Sequence, residues 1–191
     1  MSNDDTLVKR PMPKRPETGW LAWQATVGYI SHEYNPDAVL TVTAYPVSQG
    51  AIGWSASLCW GDQAEAVHNT DLLVAALRTL WSGVEARHRI FKSLDAAARR
   101  PTNYADEEWL DEPTRESLDR VIGATAAAFG ADWRVAITYQ AVDNPDTRVQ
   151  ASLFTQDGTA QAEGHGPSLR EACLMLYRRA ASHFITTRSD G

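Results

Sequence analysis

The sequence has few of the features that identify secreted, metal-stabilised or membrane proteins. Only two cysteines occur, Cys59 and Cys173, and they form no Cys-x-x-Cys or Cys/His spacing. We therefore expect neither a disulfide framework nor a structural zinc site. No apolar run reaches the roughly 18 residues of a transmembrane helix. The N-terminus carries Asp4 and Asp5 instead of the apolar core of a secretory signal. These absences predict a cytoplasmic protein without a membrane partner.

Motifs for catalysis are also missing. The chain has no Gly-x-Ser-x-Gly, P-loop or Gly-x-Gly-x-x-Gly motif, and its five histidines have no paired metal spacing. His165 stands between two glycines ahead of a predicted helix, where backbone amides could hold an anion. A histidine in an ordinary turn is the alternative. We expect a non-enzymatic protein with no metal and no cofactor. An enzyme with its site at the junction of two units is a further hypothesis.

Lysine is the scarcest charged residue. Three lysines stand against fifteen arginines, and the formal net charge is −6. The first 16 residues contribute +2, so the rest of the chain carries −8. A surface that binds phosphates needs clustered lysine and arginine. The acidic balance therefore argues against an extended nucleic-acid surface.

Two segments of biased composition lie outside the predicted helices and strands. Residues 1–18 are predicted to be a flexible, proline-rich arm, which could touch a nucleic acid or a membrane, or could be a solvated tail. Residues 101–113 are predicted to be an acidic linker, which could dock a partner protein or mimic nucleic-acid charge, or could be a solvated loop. Trp109 and Leu110 lie inside this acidic run and could anchor an interface.

The first half of the chain shows a helical period, then strand periods, then a helical period. The predicted elements are a helix at 20–34, strands at 40–45, 52–60 and 64–68, and a helix from about residue 73 that continues towards residue 100. Asn69 or Thr70 is the expected cap of the second helix. Asn35 and Pro36 are expected to end the first helix.

The second half shows the same order of periods. The predicted elements are a helix from 113 to 130, strands at 135–139, 148–155 and 159–163, and a last helix from 169. Pro113 suits the first turn of a helix, Gly130 suits its C-terminal cap, and Ser168 can cap the last helix. A turn is expected at 156–158.

The agreement between the halves predicts an internal repeat. When the first half is shifted by 95 residues, its first two strands fall on the first two strands of the second half. A shift of 98 places 63–65 on 161–163, and a shift of 96 aligns the apolar stripes of the last helices. We expect an α+β protein of two tandem αβββα units, at 19–100 and 114–186, with a tail at 187–191. Each unit would pack helices on a three-stranded antiparallel sheet, and the two would form a pseudo-dimer. Trp54, Trp60 and Trp81 are expected in the core or between the units, and a platform for base stacking is the alternative.

The second unit resembles a double-stranded-RNA-binding domain over residues 115–183. The resemblance lies in an opening helix, the strand after Trp133, the strand at 149–154, the turn at Gly158, and the run Gly164-His165-Gly166-Pro167-Ser168 before the last helix. It implies the αβββα fold. In that family a lysine cluster at the start of the last helix binds RNA phosphates. The matching positions here are Leu169, Arg170, Glu171 and Cys173, of which only one is basic. Single-strand annealing proteins are similar in their order of helix, β-meander and helix.

These observations predict a non-enzymatic interaction or scaffold protein that binds another protein through a duplicated α+β domain. The candidate interaction residues are Trp109, Leu110, Asp106, Glu107 and Glu108. The alternative is a protein that binds RNA or single-stranded DNA through the basic arm and a surface of arginine and tryptophan side chains. Its candidate contacts are Lys9, Arg10, Lys14, Arg15, His165, Arg170, Arg178 and Arg179.

Overall fold

Helices and strands follow one another in a mixed α+β order. The structure is a computed structural model that describes residues 19–88 and 110–189. Its elements in these two ranges are α1 (Gly19–Glu33), β1 (Val39–Pro46), β2 (Ile52–Trp60), β3 (Gln63–Thr70), α2 (Leu73–His88), α3 (Glu112–Phe129), β4 (Arg134–Gln140), β5 (Val149–Phe154), β6 (Ala160–Gly166) and α4 (Leu169–Ser189). Single turns of 3-10 helix at Ser48–Gly50 and Pro145–Thr147 connect β1 to β2 and β4 to β5.

The six strands form one antiparallel sheet in the order β3-β2-β1-β4-β5-β6. The first strands of the two halves meet at its centre, where Val42 lies opposite Ile137. On either side of that pair, Leu40 lies opposite Tyr139 and Ala44 lies opposite Val135. The two halves therefore join edge to edge, through backbone hydrogen bonds, rather than face to face.

The burial of side chains alternates along the strands, so the sheet has a covered face and an open face. In β1 the residues Leu40, Val42 and Ala44 are buried while their neighbours are only partly so. The same alternation runs through β4, as the sequence predicts. The buried residues of the strands and helices form one hydrophobic cluster. The helices therefore cover one face of the sheet.

The helices are distributed across both halves of that covered face. Helix α2 packs on β2 and β3, α4 packs on β5, β6 and α3, and α1 contacts β4 of the other half. The rings of Trp23 in α1 and Trp81 in α2 meet edge to face, with centroids 5.3 Å apart. This geometry is favourable for aromatic pairs. The prediction that Trp54, Trp60 and Trp81 lie in the core is confirmed, because all three are buried.

Local sequence sets the ends of α3. Asp111 accepts a hydrogen bond from the Thr114 amide at 2.9 Å, and Pro113 stands in the first turn, as predicted. Gly130 has a φ of 62° and donates its amide to the Ala126 carbonyl at 3.0 Å, so the predicted C-terminal cap is confirmed. Asp111 and Glu112, placed in the acidic linker by the sequence, thus belong to the start of this helix.

The third strands are longer than predicted, and this changes the role of the residues at their ends. Asn69 and Thr70 belong to β3 and do not cap α2, which begins at Leu73. Asn69 has a φ of 59°. The Tyr45 hydroxyl holds it there, accepting from the Asn69 amide at 3.1 Å and donating to its side-chain oxygen at 2.9 Å. The pairing of β3 with β2 is irregular nearby, between Trp54 and Ala56.

The predicted alignment of the third strands is wrong by one residue. Glu65 lies opposite Leu58, and Ala162 lies opposite Leu153. Since Leu58 and Leu153 are 95 residues apart, Glu65 corresponds to Ala162 at a shift of 97 rather than 98. A slip of one residue moves a side chain to the other face of a sheet. The two glutamates matched by the sequence, Glu65 and Glu163, therefore lie on opposite faces.

Gly164 and Gly166 belong to strand β6 and not to a turn before α4. A Cβ atom on Gly164 would lie 2.2 Å from the Leu176 nitrogen and 2.3 Å from the Ala172 oxygen. These are backbone atoms of α4. The absence of a side chain thus lets the helix backbone lie directly on the strand backbone, as glycine permits.

Several predicted features lie outside the described residues. They are the arm at 1–18, the extension of the second helix beyond His88, the linker at 101–109 and the end of the tail at 190–191. Helix α4 continues to Ser189, beyond the predicted end of the second unit at residue 186.

We predict that Gly164→Ala destabilises the protein strongly, because α4 must move off β6 to admit the methyl group. The expected loss in the free energy of unfolding is about 3 kcal/mol, at the upper end for overpacking. Gly123→Ala is the matched control, since Gly123 is exposed on α3 with no atom within 4 Å of its added Cβ. It should stabilise the helix by about 0.8 kcal/mol. Urea unfolding measures both, and equal effects would contradict the packing described.

We also predict that the two halves unfold together, because one sheet and one core join them. Leu58→Ala and Leu153→Ala remove equivalent buried side chains from different halves. Each should lower stability by about 3 kcal/mol. Tryptophan fluorescence reports mainly the first half, which holds five of the seven tryptophans, and far-UV circular dichroism reports both. The two signals should shift together in each variant. A Leu153→Ala protein whose fluorescence transition is unshifted would show separate unfolding.

Candidate protein-interaction surface

The predicted anchors in the acidic linker are not brought together on the described surface. Leu110 is only 8% exposed and belongs to the hydrophobic core. Its side chain is therefore not the exposed anchor that the sequence indicated. Asp106, Glu107, Glu108 and Trp109 lie outside the described residues.

The predicted nucleic-acid contacts that can be placed lie on β6 and α4. His165 is a strand residue opposite Gln150, with 35% of its side chain exposed, and its Nε2 lies 3.8 Å from a carboxylate oxygen of Glu163. It is therefore not the turn histidine that the sequence predicted. Arg170 and Arg178 are exposed on α4. Arg179 donates from Nη1 to the backbone oxygen of Glu163 at 3.1 Å. Lys9, Arg10, Lys14 and Arg15 lie outside the described residues.

A groove runs between the outer side of β6 and helix α4, and we call it the edge groove. Its volume is about 400 Å³. The lining residues are Asp146, His165, Gly166, Pro167, Glu171, Leu174, Met175 and Arg178. Two of the predicted residues, His165 and Arg178, thus both line this groove, although the sequence indicated no site that would join them.

The side of α4 that lines the edge groove carries a row of side chains separate from the buried apolar stripe of the helix. Glu171, Leu174, Met175 and Arg178 follow one another at spacings of 3, 1 and 3, so they lie on one side of the helix. The buried stripe of α4 is a different set, Leu169, Cys173, Leu176 and Ala180. Leu174 and Met175 are half-buried. Sequence analysis missed them, and the available signal was two apolar residues outside the buried period.

Charges of opposite sign stand at the two ends of the edge groove. Glu171 lies in the first turn of α4, where Ser168 Oγ donates to its carboxylate at 2.8 Å and accepts from its amide at 3.3 Å. Ser168 therefore caps the helix, as predicted. Asp146 stands in the turn Pro145–Thr147, which contacts β6. Arg178 is seven residues after Glu171, or about 10 Å along the helix axis. The groove is thus acidic at one end and basic at the other.

The outer side of β6 has no neighbouring strand in the described sheet. Arg179 of α4 donates to the Glu163 carbonyl, so this oxygen has a partner other than the amides of β5. The backbone groups of Glu163 therefore point away from β5. Since the direction of the backbone groups alternates along a strand, the amide and carbonyl of His165 also point outward, into the edge groove. Arg179 covers one end of this edge, and no described strand pairs with the part beside the groove.

The opposite edge of the sheet is built differently. Strand β3 carries the positive φ of Asn69 and an irregular pairing with β2. At the shift of 96, the positions of Leu174, Met175 and Arg178 correspond to Arg78, Thr79 and Ser82 of α2. The wall beside β3 thus lacks the apolar pair. The edge groove is a property of one half of the chain.

The open face of the sheet carries little charge on its four inner strands. Over the four inner strands its side chains are mostly small: Thr41, Thr43, Ser55, Ser57, Ala136, Thr138 and Ser152. Arg134, at the start of β4, is the one charged residue on this face of those four strands. A face without clustered cations offers little to a phosphate backbone.

Two smaller pockets lie beside α1. One of about 90 Å³ is bordered by Trp20, Leu110 and Asp111, and one of about 230 Å³ by Gly28, His32 and Ala141. The first holds a carboxylate without a histidine, and the second a histidine without a carboxylate. In residues 19–88 and 110–189, no group of three histidine, cysteine, aspartate or glutamate side chains could hold a metal ion.

Comparison of the chain with models of protein families finds no match, and comparison with curated protein sequences also finds none. Across the described part of the chain, every helix is too short or too polar to span a membrane. The interpretation of the surface therefore rests on its own geometry and chemistry.

We predict that the two thiols differ sharply in reactivity. Cys59 is exposed on the open face, whereas burial raises the pKa of Cys173 to about 12. At pH 8 the Cys173 thiol is thus protonated and enclosed, while only thiolates react quickly. A thiol reagent should modify one cysteine per native chain and two per chain in denaturant. The Cys59→Ser variant should react only when it is unfolded. Rapid native labelling of that variant would show that the core around α4 opens readily.

Proposed function

We propose that this protein is a non-enzymatic interaction module that binds another protein at the edge groove. The observation that carries the proposal is the half-buried apolar pair Leu174 and Met175 beside a strand edge that has no neighbouring strand in the described sheet. An apolar centre with a polar rim is typical of protein interfaces. The outward amide and carbonyl of His165 also border the groove and can recognise a polypeptide.

We further propose that the two αβββα units act as an intramolecular pseudo-dimer that presents this groove. The register at the centre of the sheet supports it. At the shift of 95, Leu40 corresponds to Val135 and Ala44 to Tyr139, and each lies opposite the counterpart of the other. Val42 lies opposite its own counterpart, Ile137. An interface between two copies related by a twofold axis has this reciprocal pairing.

The surface chemistry favours a protein over a nucleic acid as the partner. Arg178 shares the edge groove with two carboxylates, those of Asp146 and Glu171. Arg179 is engaged with a carbonyl of its own chain. The open face carries a single arginine on its four inner strands. Phosphate binding requires several cations on one surface, whereas the edge groove holds one arginine beside two carboxylates.

Site-specific photo-crosslinking in cells of the source organism tests this function. A benzophenone side chain at Met175 should form adducts with a protein, and nuclease treatment should leave the adducts unchanged. The matched control carries the same group at Thr79, the corresponding exposed position of α2, and should form none of these adducts. Adding Arg178→Glu to the Met175 derivative should remove them. Adducts that nuclease degrades, or equal adducts at both positions, would contradict the proposal.

A further inference from the structure

We infer that the edge groove takes an extended segment of the partner, which adds to the sheet as a seventh strand antiparallel to β6. The inference rests on the proposed function and names the chemistry of the bound segment. From its N-terminus, the segment presents a basic, an apolar and an acidic side chain to α4, at alternate positions.

The backbone of β6 provides the docking edge. Glu163 and His165 direct their amide and carbonyl groups away from β5, and the Arg179 guanidinium covers only the Glu163 carbonyl. An extended chain laid beside His165 would pair with the remaining groups, as in other cases of strand addition. Every pairing in this sheet is antiparallel, so its twist suits another antiparallel strand.

Helix α4 provides the side-chain selectivity. Alternate side chains of an added strand point to the same face of the sheet, and one set would face α4. Leu174 and Met175 lie midway along the groove and would contact an apolar side chain of that set. The unbranched methionine side chain adapts to the shape of its neighbour.

The order of charges follows from the direction of the strand. A Cβ on Gly166 would lie 2.8 Å from the Glu171 Cβ, so the end of β6 lies against the first turn of α4. Val149 opposite Gly166 brings the turn that contains Asp146 to the same end. An antiparallel segment therefore enters beside two carboxylates and leaves towards Arg178. Three alternate side chains span about 13 Å along a strand. This length is similar to the roughly 10 Å that separates Glu171 from Arg178 along the axis of α4.

Two synthetic peptides of the same composition test this inference with the full chain. One has lysine, leucine and glutamate at alternate positions separated by threonine, and the other has the reverse order. Fluorescence anisotropy should show that the forward peptide binds at least about tenfold more tightly. Equal affinity, tighter binding of the reversed peptide, or no binding of either would overturn the inference.

Two variants test the edge and the charge. His165→Pro removes an outward amide, a change that edge strands tolerate, and should weaken binding of the forward peptide at least about tenfold. Ala66→Pro, on the corresponding edge of β3, should change it less than about twofold. Arg178→Glu should also weaken binding about tenfold, and a forward peptide with lysine in place of glutamate should restore it. Circular dichroism and urea unfolding check the fold of each variant. Arg178 is exposed on α4, so its variant tests the inference even if the proline variant fails to fold.

The crosslinking experiment separates the inference from the function on which it rests. Protein adducts at Met175 with no peptide binding, or with binding that ignores His165→Pro, would retain the interaction module and reject the added strand. Absence of both adducts and peptide binding would reject both. Peptide binding with the expected order and proline sensitivity supports the added strand.

Discussion

The antiparallel pairing of β1 with β4 is the contact on which the rest of the structure depends. A three-stranded sheet has two edges whose backbone donors and acceptors need partners, and here one edge of each half is satisfied by the other half. The same pairing places Leu40, Val42, Val135 and Ile137 side by side under the helices, so the covered face becomes one core. It also lets α1 of the first half contact β4 of the second. The stability of either half is thus tied to the register of a single strand pair.

Within this shared frame the two outer strands differ in their side chains and in their backbones. At β6, glycine allows α4 to lie against the strand, which brings the groove-lining row of side chains on the helix to the sheet edge. At β3, Glu65 projects under α2 near Gly83, and Asn69 bends the end of the strand. The architecture is therefore similar in the two halves, whereas the surfaces that it offers to a partner differ. This difference is the physical basis for placing the interaction at one edge only.

Much of the fold was predictable from the sequence because its signals are local. The apolar period predicted the helices, the alternation in 40–45 and 135–139 predicted the central strands, and Pro113 and Gly130 marked the ends of α3. The predictions were wrong where a contact between residues distant in sequence determines the local conformation. The one-residue slip in β3 and the strand conformation of His165 depend on pairing with β2 and β5. The edge groove was not predictable for the same reason, since Asp146, His165 and Met175 meet only after the sheet has formed. Leu110 was misplaced for a related reason. It stands in a charged run of sequence, yet it packs in the core.

The irregular end of β3 also bears on how many molecules can assemble. A sheet with two regular free edges can add a strand at each, and repeated addition leads to an open-ended fibre. In this protein Asn69 adopts a left-handed backbone conformation that the Tyr45 hydroxyl holds in place. The hydrogen-bonding ladder is irregular at this end of β3. The proposed strand addition uses only the edge of β6, so each chain would accept one segment. The tyrosine that shapes this local bend would thereby favour a single added strand over continued growth of the sheet.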